Sequence, residues 1–400
     1  MREQLIKAME TAIQELGEWP GNSIQIFHHN DSDGLSSGSI LTKSFERKGY
    51  DVKRFCLEKP YPEVLSKVFE QEGKILVFTD FAGRIAPLIS RLNGGRNLTL
   101  ILDHHVAEAA TDPRVHNLDP DLFGIKGDRD ISASTTCYLF ACLLDPANVD
   151  LASIAAIGAV GDGFFVDGRI VGENRDAALE AVRQGRLEIR DEGSRERYIL
   201  KTDGGDLAYD DLCDYVDVLG GVGYYGGGPE AGVKVCLEGA SSESDRMVEK
   251  FMAVRSRIFD GEMAALRDGA LRQSPNIQWF HVGKRFSPMG VKMIGKFCEE
   301  VAVSDFIDPR KFIAGYQVLA NEIPGFGPIE FNQVKISMRV SPYMENEINQ
   351  ERAPGLNTFL PEATNRLGGF SDACHRLTAA TTVAIGREED LIEEMERIIG

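Results

Sequence analysis

The stretch Ile24-Gln25-Ile26-Phe27-His28-His29-Asn30-Asp31-Ser32-Asp33-Gly34 decides the fold that this sequence predicts. Its apolar start is typical of a buried β-strand, and polar residues follow where that strand would end. Two similar junctions come later, with Asp80 after Ile75-Leu76-Val77-Phe78 and Asp103-His104-His105 after Leu98-Thr99-Leu100-Ile101-Leu102. The strand ends of a parallel sheet meet at one rim, where open α/β sheets bind ligands. The pattern therefore predicts an α/β fold with a mainly parallel sheet flanked by helices and one site at its rim.

The side chains at this rim predict a metal centre. A fourth cluster, Gly161-Asp162-Gly163, follows a run of small residues from 154 to 160, which permits tight packing beneath such a site. Five carboxylates and two imidazoles can share a pocket only with cations between them, because an unpaired buried carboxylate is driven to protonate. Oxygen-rich sites with one or two imidazoles favour manganese, with magnesium second. Enough ligands for two ions about 3.5–4 Å apart indicate hydrolysis of a phosphate ester.

Simpler interpretations exist for single members of this set. An Asp after a strand is usually a turn or helix-capping residue, and taken alone that is the better interpretation of Asp80 and Asp162. It does not extend to His104 and His105, because two adjacent imidazoles after an apolar strand have no packing rationale.

The four ordered clusters resemble motifs I to IV of the DHH phosphoesterase superfamily, which contains RecJ-like exonucleases, oligoribonucleases and family II inorganic pyrophosphatases. The matching residues are His29-x-Asp31-x-Asp33-Gly34, Asp80, Asp103-His104-His105 and Asp162. The resemblance implies catalytic roles for Asp80, for Asp103, which would orient an imidazole, and for His105, which would face the scissile phosphate.

The resemblance also implies the metal ligands. One ion would be bound by His29, Asp31 and Asp80, and the other by Asp33, Asp80, His104 and Asp162, so that Asp80 bridges them. Several relatives place the first His four residues before the first Asp, where this chain has Phe27. RecJ-like members allow the closer spacing, which favours His29 over His28.

The second half resembles the small C-terminal domain that accompanies DHH domains in RecJ-like and oligoribonuclease members. The matching residues are Ser337-Met338-Arg339, Leu367-Gly368-Gly369, His375 and Thr378-Ala379-Ala380-Thr381, with Phe370 where the family has a His. The resemblance implies substrate binding by Arg339, Gly368, Gly369 and His375, and by His105 of the DHH motif. Arg366 is a further candidate, as a local basic residue that could offset the acidic charge of the chain. A turn before a strand is the alternative interpretation of the Gly-Gly pair.

The length of 400 residues is too great for one ordinary core and predicts two domains. We expect a DHH domain at 1–240, a helical linker at 241–272 and a smaller α/β substrate-binding domain at 273–400. Within the first domain, residues 169–211 are rich in charge and predict an inserted surface helix and hairpin, since a charge run is usually a solvated face. The glycines between 220 and 228 predict a structural loop near the cleft.

Charge and composition narrow the partners. The net charge of −18 works against an extended groove for duplex DNA, because Lys and Arg supply most of that affinity. No apolar run reaches the roughly 18 residues that span a bilayer, and the N-terminus lacks the apolar core of a signal peptide, so we expect a cytoplasmic protein without a membrane partner. Seven scattered cysteines indicate reduced core residues.

The leading functional hypothesis is a manganese-dependent exonuclease that releases mononucleotides from single-stranded DNA or RNA by two-metal hydrolysis. A phosphodiesterase acting on cyclic dinucleotides, nucleotide bisphosphates or very short oligonucleotides is the alternative that the acidic charge favours. A scaffold of a replication or repair complex is the hypothesis from another class.

Overall fold

The computed structural model describes residues 1–202 and 205–400, and the side chains of all of these except 372 and 373. The chain divides into two compact units. The first comprises Met1–Val248 with Pro324–Phe326, and the second comprises Glu249–Ile323 with Gly327–Gly400.

A five-stranded parallel sheet forms the centre of the first unit. Its strands are β1 (Ser23–His28), β2 (Asp51–Cys56), β3 (Ile75–Thr79), β4 (Leu98–Leu102) and β5 (Val115–Asn117). They lie in the order β2-β1-β3-β4-β5, and every neighbouring pair is parallel. All residues of β3 and β4 are buried, as expected where helices cover both faces of a parallel sheet. The predicted fold class is confirmed.

Helices connect and follow these strands. They are α1 (Arg2–Glu18), α2 (Ser32–Arg47), α3 (Pro62–Val68), α4 (Ala86–Asn93), α5 (Ala133–Leu144) and α6 (Ala152–Gly161). Helix α2 starts at the end of the first apolar strand, with Asp31 as its N-cap accepting a hydrogen bond from the Gly34 N–H. The motif that ends β1 therefore also begins α2.

The charged insertion forms a helix and a small antiparallel sheet. Its elements are α7 (Gly172–Arg183), β6 (Leu187–Asp191), β7 (Glu196–Thr202) and β8 (Gly205–Ala208), with the strands in the order β6-β7-β8. The first unit continues with α8 (Tyr209–Asp217) and α9 (Gly228–Glu238). Between these two helices the glycine-rich segment packs closely on the first motif, since a Cβ at Gly220 would lie 1.9 Å from the Asn30 carbonyl oxygen. Short helical turns at Val218–Val222 and Tyr224–Gly226 take the place of the structural loop that was predicted there, because the glycines let the chain coil closely against this motif.

The second unit contains a mixed six-stranded sheet. Helix α10 (Ser242–Ala265) contains the boundary between the units, and the elements that follow are β9 (Arg272–Gln273), β10 (Ile277–Gly283), α11 (Met293–Ala302), β11 (Phe312–Val318), β12 (Glu322–Ile323), β13 (Gly327–Pro328), β14 (Gln333–Arg339), α12 (Pro342–Asn349), α13 (Leu356–Arg366), β15 (Phe370–Cys374), β16 (Thr378–Ala384) and α14 (Glu388–Ile399). The sheet order is β15-β16-β14-β11-β10-β9, while β12 pairs with β13. A core that includes Phe312, Ile336, Phe359 and Leu391 lies between the sheet and the helices.

Among the described residues, no helix has both the length and the apolar character needed to cross a bilayer.

Candidate metal centre

Three neighbouring parallel strands end at the same level of the sheet. His28 pairs in register with Thr79, and Thr79 pairs with Leu102. The next residue after each strand is His29, Asp80 or Asp103, so the backbone alone places these three side chains at one rim. The first three predicted clusters converge as the sequence indicated.

The first group consists of His29, Asp31 and Asp80. The His29 Nδ1 lies 2.7 Å from an Asp31 carboxylate oxygen and 3.2 Å from an Asp80 oxygen. His28, the alternative, points away from this group. Its buried ring lies against Gly38, where a Cβ would be 2.8 Å from the His28 Cγ, and its Nδ1 lies 2.8 Å from the His29 carbonyl oxygen. The geometry favours His29 as the ligand.

Asp80 has an unusual backbone conformation. Its φ is +64°, in the left-handed region that residues other than Gly rarely adopt, and two residues later Ala82 has a φ of +86°. Such backbone strain costs on the order of 1–3 kcal/mol and clusters at functional sites. The Asp80 N–H still donates to the Leu102 carbonyl at 3.2 Å, so the turn stays attached to the sheet. It directs the Asp80 carboxylate between the two groups of ligands.

Asp33 is held by the N-terminus of helix α5. The Ala133 and Ser134 N–H groups each donate to one Asp33 oxygen at 2.8 Å. Two charge-assisted bonds from a helix N-terminus are a favourable setting for a carboxylate. Gly158 of α6 lies against the same carboxylate, because a Cβ there would be 1.8 Å from the Asp33 Oδ1. The predicted tight packing of the small-residue run is confirmed at this position.

His104 completes the second group. Its Nδ1 donates to the Gly127 carbonyl at 2.6 Å, which fixes the ring and leaves the other nitrogen directed at the carboxylates. The His104 Nε2 lies 3.8 Å from Asp33, 3.4 Å from Asp80 and 3.5 Å from Asp162. Within the described residues this buried nitrogen has no hydrogen-bond partner.

Asp103 contacts the imidazole of His105. Its Oδ1 lies 2.7 Å from the His105 Nδ1 and accepts the His104 N–H at 2.8 Å, while its Oδ2 accepts the Gly83 N–H at 2.8 Å. Asp103 therefore orients His105, whereas the ring of the candidate metal ligand His104 is held by the Gly127 carbonyl. The His105 side chain is 39% exposed, so its ring can reach a bound molecule.

The charges of the cluster shift the pKa values of its members. Burial, and then the charge of Asp80, raises the pKa of Asp33 to about 6. Burial lowers the pKa of His29, but Asp31 and Asp80 outweigh it and raise that pKa to about 10. Burial and the neighbouring Asp33 raise the pKa of Asp162 well above its usual range. Protons therefore compete with cations for this site.

The donor set fits two divalent cations. Ligand atoms within 4.8 Å of one another form the groups His29-Asp31-Asp80, Asp33-Asp80-His104-Asp162 and Asp80-Asp103-His104-His105. Asp80 belongs to all three groups, as a bridging carboxylate would. The unpartnered His104 Nε2, aimed at three carboxylates, is the donor that a cation would satisfy. Carboxylate oxygens with two imidazoles suit manganese or magnesium better than structural zinc.

Three of the candidate substrate-binding residues of the second unit are already engaged in local contacts. The Arg339 Nε donates to Glu299 at 3.0 Å and its Nη1 to the Met338 carbonyl at 2.9 Å. Arg366 pairs with Glu362 and Glu394. Gly369 packs against the sheet, since a Cβ there would lie 2.3 Å from the Thr382 carbonyl oxygen.

The other two candidates lie close to the two ends of strand β15. Gly368 has a φ of +68° that favours glycine, with open space where a Cβ would be. The His375 side chain is exposed. The backbone N–H of His375 donates to the Thr378 carbonyl at 2.8 Å. Substrate binding by these five residues remains a prediction.

Sequence reasoning missed the groups that support the ligands. Gly127 lies in a loop without a distinguishing motif, and a Cβ there would be 1.5 Å from the His104 carbonyl oxygen. The N–H groups of Ala133 and Ser134 were overlooked as well. Ser132 caps the N-terminus of α5 by accepting a hydrogen bond from the Thr135 N–H, and the affinity of a helix N-terminus for an anion was a signal that could have been followed.

Comparison with known proteins identifies the fold. No protein-family model matches the chain. RecJ in complex with Mn²⁺ from Thermus thermophilus superposes with a TM-score of 0.63 at 14% identity, covering 98% of this chain and 55% of RecJ. This chain therefore spans about half the length of that RecJ. A DHH-domain member of the s1p family of ribosomal proteins gives a TM-score of 0.62 at 15% identity, covering 99% of this chain and 92% of the other.

Two further relatives extend the comparison. CDC45 from Entamoeba histolytica has a TM-score of 0.57 at 11% identity, covering 99% of this chain and 98% of CDC45. In sequence, an uncharacterized protein of Methanocaldococcus jannaschii is 32% identical over 146 residues, which cover 35% of this chain and 32% of that protein. The resemblance to the DHH superfamily is thus confirmed at the level of the fold.

Proposed function

We propose that this chain, which has the fold of the DHH phosphoesterase superfamily, is a hydrolase: a phosphodiesterase that uses two divalent cations, with manganese preferred and magnesium as the alternative. The shared position of Asp80 carries the proposal, because its carboxylate lies in every group of ligand atoms at the rim. A bridging carboxylate between two groups of ligand atoms suits two-metal hydrolysis, in which two ions lie about 3.5–4 Å apart.

The two groups divide the binding of the ions. His29, Asp31 and Asp80 would hold one ion, and Asp33, Asp80, His104 and Asp162 the other. When bound, the ions supply Lewis-acid activation of water and of the phosphoryl group. Hydrogen bonds already orient two of these ligands, so their side chains need to move little when an ion binds. The α5 N–H groups orient Asp33, and the Gly127 carbonyl orients His104.

His105 would act on the substrate. Burial and the charge of His104 lower its pKa, but Asp103 outweighs them and raises it. The protonated ring, oriented by Asp103 through its Nδ1, leaves the Nε2–H to donate to a phosphoryl oxygen. Asp103 keeps the charge that this requires, because His105, outweighing burial, holds the pKa of the Asp103 carboxyl below its usual range.

Exonucleolytic release of mononucleotides from single-stranded DNA or RNA is our preferred activity. Support comes from similarity in fold to a structure described as exonuclease RecJ bound to manganese, with a TM-score of 0.58 at 14% identity. RecJ has also been solved with Mg²⁺. In this proposal Arg339, Arg366, Gly368, Gly369 and His375 of the second unit bind substrate, and residues 273–400 act as the substrate-binding domain.

One observation favours a second candidate. The net charge of −18 leaves few basic residues for remote phosphates, which suits very short oligonucleotides, nucleotide bisphosphates or cyclic dinucleotides. A replication or repair complex stays a proposed partner, as the resemblance of the sequence motifs to the superfamily implies. The converging ligand set favours an enzyme over a scaffold without catalysis.

A substrate panel tests the proposal. Labelled DNA and RNA strands of graded length, together with cyclic dinucleotides, are incubated with the protein and Mn²⁺. We expect hydrolysis that chelation abolishes and that Asp80→Ala eliminates. Asp176→Ala, which removes an exposed carboxylate on α7, serves as the matched control and should keep full activity. Hydrolysis that persists in Asp80→Ala or in excess chelator would contradict the two-metal mechanism.

A further inference from the structure

Asp162 differs from the other proposed ligands in the way its carboxylate is held. Asp33 accepts two backbone N–H groups, and Asp31 accepts one from Gly34. In the described part of the chain, the Asp162 carboxylate has His104 as its only ion-pair partner and accepts no hydrogen bond. Its side chain is 25% exposed, against 3% for Asp80. The position of Asp162 therefore depends on the backbone that carries it.

That backbone lies outside the sheet. Asp162 is the C-cap of α6, and Gly163, with a φ of +71°, turns the chain away from the helix. The next residue, Phe164, is buried with its ring edge-on to the ring of His104 at 5.3 Å. The segment 162–170 is thus attached to the metal centre at its start, by Asp162 and Phe164. The other end of the segment, near residue 170, needs separate contacts to hold it in place.

The hairpin between β6 and β7 contacts this segment through a stacked side chain. The Arg195 guanidinium carbon lies 4.1 Å from the centre of the Phe165 ring. On its other side the same guanidinium donates to Asp210 at 2.6 Å, which limits its rotation. A cation held over an aromatic face contributes about 0.5–1 kcal/mol at an exposed site. Arg195 therefore links the insertion to the third residue after Asp162.

Backbone contacts strengthen the link. The Glu196 N–H donates to the Gly168 carbonyl at 2.8 Å. Gly168 has a φ of +77°, and a Cβ there would lie 2.1 Å from the Ser194 carbonyl oxygen, so only glycine allows the hairpin this close. The Tyr198 hydroxyl donates to Glu196 at 2.7 Å and accepts the Ile170 N–H at 3.1 Å. The far end of the segment is thereby tied to strand β7.

We propose that the hairpin of the charged insertion is a positioning element for the metal centre. Arg195 on Phe165, together with the backbone contact at Gly168, holds the segment 162–170 so that the Asp162 carboxylate stays beside His104. Arg195 is a positioning residue, since it touches neither the ligands nor the substrate. The consequence for the second ion rests on the proposed function, whereas the hold on the segment does not. Part of the insertion thus has a role beyond the solvated face that its composition indicates.

The test compares two arginines of one hairpin within the 400-residue chain. Arg195 and Arg197 have similar exposure, 48% and 44%, but Arg197 faces Glu192 and Asp211 instead of Phe165. Arg195→Ala should speed amide hydrogen exchange in 163–170 about twofold to fivefold, from the loss of about 0.5–1 kcal/mol. Phe165→Leu should speed this exchange at least as much, because it also removes the contact between the Phe165 and Tyr198 rings. Arg197→Ala should leave it unchanged, and Arg195→Lys should recover part of the protection.

Mn²⁺ titration provides the second measurement. We expect Arg195→Ala to weaken binding of one of two ions by a similar factor and to leave the other unchanged. Unchanged exchange in Arg195→Ala would overturn the proposed hold. Faster exchange with unaltered Mn²⁺ affinity would overturn the positioning of Asp162. Wild-type protein that binds no Mn²⁺ would overturn the proposed function, and the exchange rates would still decide whether the hairpin holds the segment.

Discussion

Gly158→Ala is the sharpest test of the packing beneath the metal centre. A Cβ at this position would lie 1.8 Å from the Asp33 Oδ1 and 2.2 Å from the Ser134 Oγ. Ordinary contact begins at 3.4 Å, so helix α6 and the carboxylate must separate by about 1.6 Å. Metal–ligand distances tolerate only about 0.2 Å. The added methyl group should therefore disrupt metal binding as well as packing.

Two magnitudes follow from this displacement. Overpacking of a core costs about 1–3 kcal/mol, and each kcal/mol lowers the melting temperature by roughly 2–4 °C in a domain of about 150–250 residues. In wild type, each Mn²⁺ ion at about 100 times its Kd should add about 2.7 kcal/mol of stability, a rise of roughly 5–11 °C per ion. The variant should lose the rise that comes from the ion bound by Asp33, because Asp33 is displaced.

Thermal melts with and without Mn²⁺ measure both effects. Gly17→Ala is the matched control, since Gly17 lies in α1 of the same unit with no atom within 4 Å of its added Cβ. It should be neutral or stabilising by about 0.4–1 kcal/mol, because alanine narrows the unfolded ensemble. A Gly158→Ala protein with a wild-type melting temperature and an intact Mn²⁺ shift would refute the packing argument.

Four further predictions concern ions and substrate. Asp80→Ala should lose several orders of magnitude in hydrolysis rate, while its melting temperature without Mn²⁺ stays near that of wild type. In wild type, Mn²⁺ should restore the activity of chelated enzyme better than Zn²⁺ or Ca²⁺. Restoration by Zn²⁺ alone would contradict the ligand chemistry. Mn²⁺ affinity should rise between pH 6 and pH 9, because His29, with a pKa raised to about 10, must lose its proton to bind the ion. The rise should reach up to about tenfold per pH unit for each proton released. Calorimetry that finds no pH dependence of the affinity would be inconsistent with this linkage. The affinity for single strands should stop increasing beyond a short oligonucleotide length and should depend weakly on salt, because the net charge of −18 leaves few basic side chains for distant phosphates. An affinity that keeps growing with strand length and falls steeply with salt would instead indicate an extended row of basic residues.

The sequence by itself determined three strands of the parallel sheet and the placement of the first three clusters. Apolar runs of four or five residues define β1, β3 and β4, and the residues that follow them lie at one rim because parallel strands share their direction. Local patterns are enough here, since the alternation of strand and helix fixes which strand end carries each side chain. The N-cap of α2 also depends only on residues close in sequence, because the Asp31 carboxylate lies three residues before the Gly34 N–H that it binds.

Only the tertiary structure decided what supports the ligands. The N–H groups that hold Asp33 come from residues 100 and 101 positions away, and the Gly127 carbonyl that orients His104 lies 23 positions away in a loop without a motif. The left-handed backbone of Asp80 and the stacking of Arg195 on Phe165 are equally invisible in the sequence. Such contacts depend on where helices and loops return to the sheet, and side-chain periodicity carries no information about that distance or angle.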